Sequence, residues 1–187
     1  GIFGYGNSGG VSSLTNLVSN SGVVASDVTG VGTARGYLAA CSYGSDSDKG
    51  IFFGGTTGSV SSLTNLVSNV GVVATDVTGV GTARERSAGC EYGNDKGIFG
   101  YGTTGSITAV TNLVSNAGVV ASDVTGVGTA RSYLASTQYG NDKGIFGYGF
   151  SDSRISLTNL VSNAGVVATD TTGVGTGRDG LTACSYN

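Results

Sequence analysis

"YGNDKGIFGYG" occupies residues 92–102 and recurs, letter for letter, at residues 139–149. Its reading decides the fold. A β-prone run ends at the Tyr. Gly-Asn-Asp is a turn sequence, because Asn and Asp tolerate turn conformations and Gly supplies positive φ. "GIFGYG" is a second short β-prone run, so the stretch predicts an antiparallel hairpin. Working outward, "GIF" begins at Gly1, Gly50, Gly97 and Gly144. "TNLVSN" begins at Thr15, Thr64, Thr111 and Thr158, and "GVVA" at Gly22, Gly71, Gly118 and Gly165. Each set then carries an aspartate (Asp27, Asp76, Asp123, Asp170), a "TGVGT" and an arginine (Arg35, Arg84, Arg131, Arg178). The chain is four copies of one unit of about 47 residues, and such a period signals a repeat architecture.

Composition narrows the class. The 187 residues include 35 Gly and no Pro, Met, Trp or His, with 11% charged residues and a net charge of −3. Mean hydropathy is slightly positive, so the chain is expected to fold, since disorder needs low hydrophobicity with high net charge. Collagen is excluded by the missing Pro and the absence of a three-residue Gly period. No apolar run reaches the roughly 18 residues of a membrane span. No basic cluster exists to neutralise phosphates, which excludes nucleic acid as an expected partner.

Gly interrupts every window of about ten residues, which argues against helices. Val, Ile, Thr, Phe and Tyr sit in short runs bounded by turn residues, which argues for strands. Four strands per unit are expected: "RSYLASTQY" (131–139), "GIFGYG" (144–149), "SLTNLVS" (156–162) and "VVATDTT" (166–172). Four short antiparallel strands in 40–50 residues is the arithmetic of a β-propeller blade. The expected fold is therefore all-β, a propeller with four blades per chain.

The unit resembles the kelch-type propeller repeat. The residues that carry the likeness are "ARGYLAACSYG" at 34–44, "DKG" at 48–50 and "IFFGG" at 51–55, with Gly54 and Gly55 matching the family's Gly pair. In the other three units Tyr5, Tyr101 and Tyr148 stand in place of the first Gly. The near-identity of the units is also loosely similar to repetitive proteins of phage tails and microbial surfaces. These resemblances imply a propeller scaffold and an extracellular, cell-surface or virion setting.

Counted from first strands, blades are expected at about 33–79, 82–126 and 129–173, with a fourth made of 176–187 together with 1–30. That arrangement would seal the ring with both termini in one blade and leave no open sheet edge there. The alternatives are an eight-bladed ring in which two chains exchange their terminal strands, and a longer array of which these 187 residues are a slice. Tyr186 and Asn187 are expected beside Gly1, of the same chain or of a partner.

The chemistry read from the residues is sparse. Without His, neither a Ser–His–Asp nor a Cys–His arrangement can be built. Cys41, Cys90 and Cys184 share one slot in three units and show no metal-ligand spacing; the expected role is that of a small buried hydrophobe, and the alternative is one disulfide within or between chains. No metal, cofactor or enzymatic activity is expected. The repeated Asp27, Asp76, Asp123 and Asp170 with Arg35, Arg84, Arg131 and Arg178 have two readings. They are polar pockets for a sugar or anion, with Tyr37 and Tyr133 as stacking platforms, or bonds that tie one blade to the next. Need for the interaction in every copy favours the second. The segments that vary between units, around Phe150, Asp152 and Arg154 and over 85–91, are where a specific site is expected. The expected function is a non-enzymatic structural or adhesive scaffold that self-assembles as a homo-oligomer, and the alternative is a multivalent glycan-binding propeller.

Overall fold

The computed structural model describes residues 1–186. Within them the chain is all-β, with eleven strands and one 3-10 turn at Ser45–Ser47. No helix among the described residues is long and apolar enough to cross a membrane. The first sheet pairs β1 (Ile2–Asn7) with β2 (Val11–Leu17). The second is β3 (Ala39–Tyr43), β4 (Lys49–Phe53) and β5 (Thr64–Val67). The third is β6 (Ala88–Tyr92), β7 (Lys96–Gly100) and β8 (Thr111–Val114), and the fourth β9 (Ala135–Tyr139), β10 (Lys143–Gly147) and β11 (Thr158–Val161). All pairings are antiparallel, and the register repeats: Cys41 faces Ile51, Cys90 faces Ile98, Thr137 faces Ile145. The hairpin expected from "YGNDKGIFGYG" is thus formed twice, by β6–β7 and β9–β10.

The expected fourth strand is present only in outline. Val73 and Val77 bridge to Val67 and Thr64, and the same two bridges recur in every unit. Between them β5 advances three residues while the facing segment advances four. The extra residue is a bulge, and it breaks the ladder that "VVATDTT" promises. Each sheet is therefore three strands plus a bulged edge, except the first.

The core lies between successive sheets. Ile51, Phe53, Phe99 and Val114 belong to one buried cluster, and the Phe53 and Phe99 rings stack with centroids 4.7 Å apart. Ile98, Tyr101, Phe146 and Val161 belong to the next. Adjacent residues such as Ile98 and Phe99 are both fully buried because β7 is covered on both faces, which explains the unalternating "GIF". A buried Phe contributes about 1.5–3 kcal/mol, so each inter-sheet layer is a substantial part of the stability.

The expected sealing of one sheet by both termini does not occur within this chain. β1 has one strand neighbour, β2. Residues 181–186 form no strand, and Tyr186 is 95% exposed rather than beside Gly1; Asn187 lies outside the described residues. The C-terminal segment is instead tied to the fourth sheet. Gly149 N–H donates to Arg178 O at 3.0 Å, Gly180 N–H to Tyr133 O at 2.9 Å, and Arg154 Nε pairs with Asp179 at 2.7 Å.

Candidate functional site

The repeated polar residues converge at the junctions between sheets. "TGVGT" leaves one sheet and carries its Thr to the aspartate of the next. Thr129 donates to Asp170 through its N–H (3.0 Å) and its hydroxyl (2.7 Å). Thr33 does the same to Asp76, and Thr82 to Asp123. Asn65, Asn112 and Asn159 steady those carboxylates at 2.9 Å while also donating to the carbonyls of Ala74, Ala121 and Ala168 on the bulged edge. Partial burial pushes Asp76, Asp123 and Asp170 up, but the Thr and Asn hydrogen bonds outweigh it and hold all three below the usual carboxylate range.

The arginines complete each junction. Arg35, Arg84 and Arg131 are fully buried. Each lies over an aromatic ring of the preceding sheet: Arg35 over Tyr5 at 5.0 Å, Arg84 over Phe53 at 4.8 Å, Arg131 over Tyr101 at 4.1 Å. Arg35 and Arg131 then donate to Asn65 and Asn159 of the following sheet, and Arg35 lies 3.5 Å from Asp76. Arg84 donates to Phe99 O of the following sheet at 3.5 Å, and Arg84 and Arg131 each donate to the carbonyl two residues back, Thr82 O and Thr129 O, at 3.1 Å. Burial lowers the Arg84 guanidinium to about 10, and the Asp123 charge opposes that fall. The Nε atoms of all three have no hydrogen-bond partner, so the ring faces carry part of what solvent would otherwise provide. The Asp and Arg spaced eight apart in sequence are thus not partners. Each Arg reaches forward to the next unit.

The second unit shows how the aromatic seat is kept. Its "IFFGG" moves the ring one residue upstream to Phe53. Gly54 then takes φ +68°, where a Cβ would stand 2.5 Å from Arg84 O. The tyrosines at the same slot elsewhere accept φ of 62–64°, and their hydroxyls donate to Val31, Val127 and Val174 carbonyls at 3.0 Å.

Tyr37 and Tyr133 belong to a separate column. Together with Arg86 and Gly180 they occupy one slot in the four units, each at positive φ. Arg86 N–H donates to Tyr37 O, Tyr133 N–H to Arg86 O, and Gly180 N–H to Tyr133 O. The Arg86 guanidinium lies between the two rings, 5.0 Å from Tyr37 and 4.8 Å from Tyr133, and 3.2 Å from Glu85. The sequence placed Arg86 within the variable stretch 85–91 and the tyrosines as platforms without joining them. Equal slots in successive repeats were the signal that could have done so.

The remaining candidates are placed as follows. Arg154 pairs with Asp179, Phe150 bridges to Ser132 beside the column, and Glu91 accepts from Ser47 Oγ. All three cysteines are free thiols; Cys90 is buried and its thiol is pushed up to about 12 by that burial. Cys184 is exposed, unlike the buried hydrophobe expected. Asp95 and Asp142 bond Lys96 and Lys143 and receive Asn116 and Asn163 at the hairpin turns. Among the described residues no three His, Cys, Asp or Glu side chains are grouped to hold a metal ion.

No family model and no curated protein sequence matches the chain. Its fold is similar to the solved structure of YjhT, with a TM-score of 0.63 at 14% identity. The match covers 81% of this chain and about half the length of that one, 50%. At that identity the likeness speaks to fold alone.

Proposed function

We propose that the chain is a non-enzymatic scaffold of propeller type, built from kelch-like blades and serving as a structural or adhesive part of a surface, fibre or virion. One observation carries this reading. At the three junctions between sheets the recurring charges are consumed in holding sheet to sheet: Thr33, Thr82 and Thr129 saturate Asp76, Asp123 and Asp170, and Arg35, Arg84 and Arg131 lie buried on aromatic rings. Groups so engaged are not free to bind or activate a substrate. The test is thermal unfolding against a panel of hydrolase substrates and glycans. A scaffold gives no turnover and no shift in midpoint. Turnover abolished by substituting any of these aspartates or arginines refutes it.

A second reading, a multivalent glycan binder, is supported by Tyr37, whose ring is 48% exposed although Arg86 covers one face. Stacking on that ring would give millimolar sugar affinity lost in Tyr37→Ala. Arg86→Ala, which uncovers a face of both Tyr37 and Tyr133, would strengthen binding. A glycan array blank for the unmodified chain and for Arg86→Ala rules this reading out.

A further inference from the structure

One side chain departs from the repeat and is left without a counter-charge. The slot held by Ser42, Gln138 and Ser185 carries Glu91 in β6. Glu91 is 8% exposed, so its carboxylate has lost most of its water. Burying a charge is costly unless an opposite charge or a full set of hydrogen bonds meets it. Glu85, buried to the same extent, has Arg86 at 3.2 Å. Glu91 forms no ion pair among the described residues. The Ser47 hydroxyl donates to Oε1, and no group donates to Oε2 among those residues.

Glu91 lines a cavity of about 590 Å³ at the hairpin-turn end of the second and third sheets, with Asp46, Ser47, Asn94, Asp95 and Gln138. No lysine or arginine belongs to its lining. Asp95 is already bonded to Lys96 and Asn116. Asp46 is exposed and forms no ion pair. The wall from the second unit is an insertion, since Gly44 to Gly50 spans two residues more than Gly93 to Gly97. It carries Asp46 and Ser47 at φ of 61° and 55°, a left-handed conformation that side-chain-bearing residues seldom adopt. The Ser47 hydroxyl ties this strained segment to Glu91 of the next unit. Backbone strain of this kind gathers at ligand sites. The inserted segment, Glu91 and Gln138 are each particular to one unit, so the cavity is built where the copies differ.

We infer that this cavity binds a small alkylammonium ion, with the charged head on Glu91 Oε2. An ammonium supplies the positive charge that Glu91 lacks, and its N–H groups need acceptors. The lining provides them. Beside Glu91 Oε2 stand the Ser47 hydroxyl and the side-chain carbonyl of Gln138, whose N–H is turned to Asn141 O. Asp46 on the exposed wall adds a second negative charge that draws cations to the mouth. A divalent metal ion is a poorer match, because no three carboxylates or thiols converge on one point among the described residues. A guanidinium seeks two parallel acceptors, and Ser47 already occupies one Glu91 oxygen. None of these residues belongs to the junctions that carry the scaffold reading, so either conclusion can fail without the other.

Titration calorimetry with n-butylammonium chloride at constant ionic strength tests this. The unmodified chain is expected to bind with a dissociation constant of about a millimolar, the scale of one charge-assisted contact. In the isotope-labelled chain the amide resonances of Ser47, Gly93 and Asn94 should move, which places the ion in this cavity. Glu91→Gln keeps the shape and removes the charge, and Glu91→Ser restores the residue at Ser42; each should weaken binding about tenfold or more. Without amine, Glu91→Gln should melt no lower than the unmodified chain, because it relieves an uncompensated buried charge. Asp152→Asn, outside the lining, should leave the affinity unchanged. Tetramethylammonium has the charge and no N–H, and should bind about tenfold more weakly. Absence of heat and of shifted resonances at about 50 mM butylammonium overturns the proposal. So does equal affinity in the Glu91 variants, equal affinity for tetramethylammonium, or tighter binding of calcium ion. A Glu91→Gln chain that melts lower shows the carboxylate already compensated, and overturns it as well.

Discussion

Asp170→Ala measures what a junction is worth. The substitution removes an acceptor for three donors: Thr129 N–H, the Thr129 hydroxyl and Asn159 Nδ2. Hydrogen bonds to a charged group contribute about 1.5–3 kcal/mol each when well buried. This carboxylate is only half-buried, so about 1 kcal/mol each is the better figure. Buried Arg131 also loses a nearby opposite charge. The expected loss is about 3 kcal/mol, or roughly 6–12 °C in melting temperature for a chain of this size. Thr129→Val removes the hydroxyl alone and should cost about 1 kcal/mol. Asp152→Ala, whose carboxylate has no bond among the described residues, should stay within about 0.5 kcal/mol. Urea unfolding followed by tyrosine fluorescence and far-UV circular dichroism checks these values, with coincident transitions as the test of two-state behaviour. If Asp170→Ala matches Asp152→Ala, the junction is not held as argued.

Three further outcomes follow from the same geometry. Because Asp76, Asp123 and Asp170 ionise below the usual range when folded, the unfolded chain binds more protons in acid. Their stabilisation is complete above the unfolded value of about 3.9 and is lost as pH falls through the folded values; urea midpoints should hold from pH 6 to 8 and drop below about pH 5, less steeply with Asn at all three sites. Gly97→Ala should destabilise by about 1–3 kcal/mol by driving a methyl into the Cys41 sulfur, and Cys41→Ala in the same chain should recover most of it in a double-mutant cycle. With Cys41→Ala and Cys184→Ser, the remaining Cys90 thiol should resist a thiol reagent at pH 8 until the chain is unfolded, since it titrates at about 12.

The hairpins and the sheet-by-sheet order were legible because turn chemistry and a fixed period are local signals. "GNDK" between two β-prone runs leaves little choice, and β6–β7 and β9–β10 follow it. The fourth strand was over-read. "VVATDTT" has the composition of a strand, but its extra residue makes a bulge, a property of pairing that composition does not carry. The Arg–Asp partners were hidden for a different reason. In a repeat every pair of slots recurs at nearly constant spacing, so the eight residues from Asp27 to Arg35 within a unit and the 41 from Arg35 to Asp76 across a boundary are equally regular. Only the packing of one sheet on the next selects between them. The setting of the tyrosines was hidden by the same regularity, since Arg86 comes from a neighbouring unit to lie over Tyr37 and Tyr133.

The hydrogen bonds that run along the column at Tyr37, Arg86, Tyr133 and Gly180 are all between main-chain atoms. Its four side chains are two phenols, one cation and a hydrogen, and the backbone bond from unit to unit is the same in each case. Lineage and laboratory can both use such a row. It is a position where chemistry can be rewritten one unit at a time while the coupling between units is left intact. A scaffold of near-identical parts thereby acquires a line of variable residues joined by one unvarying backbone bond.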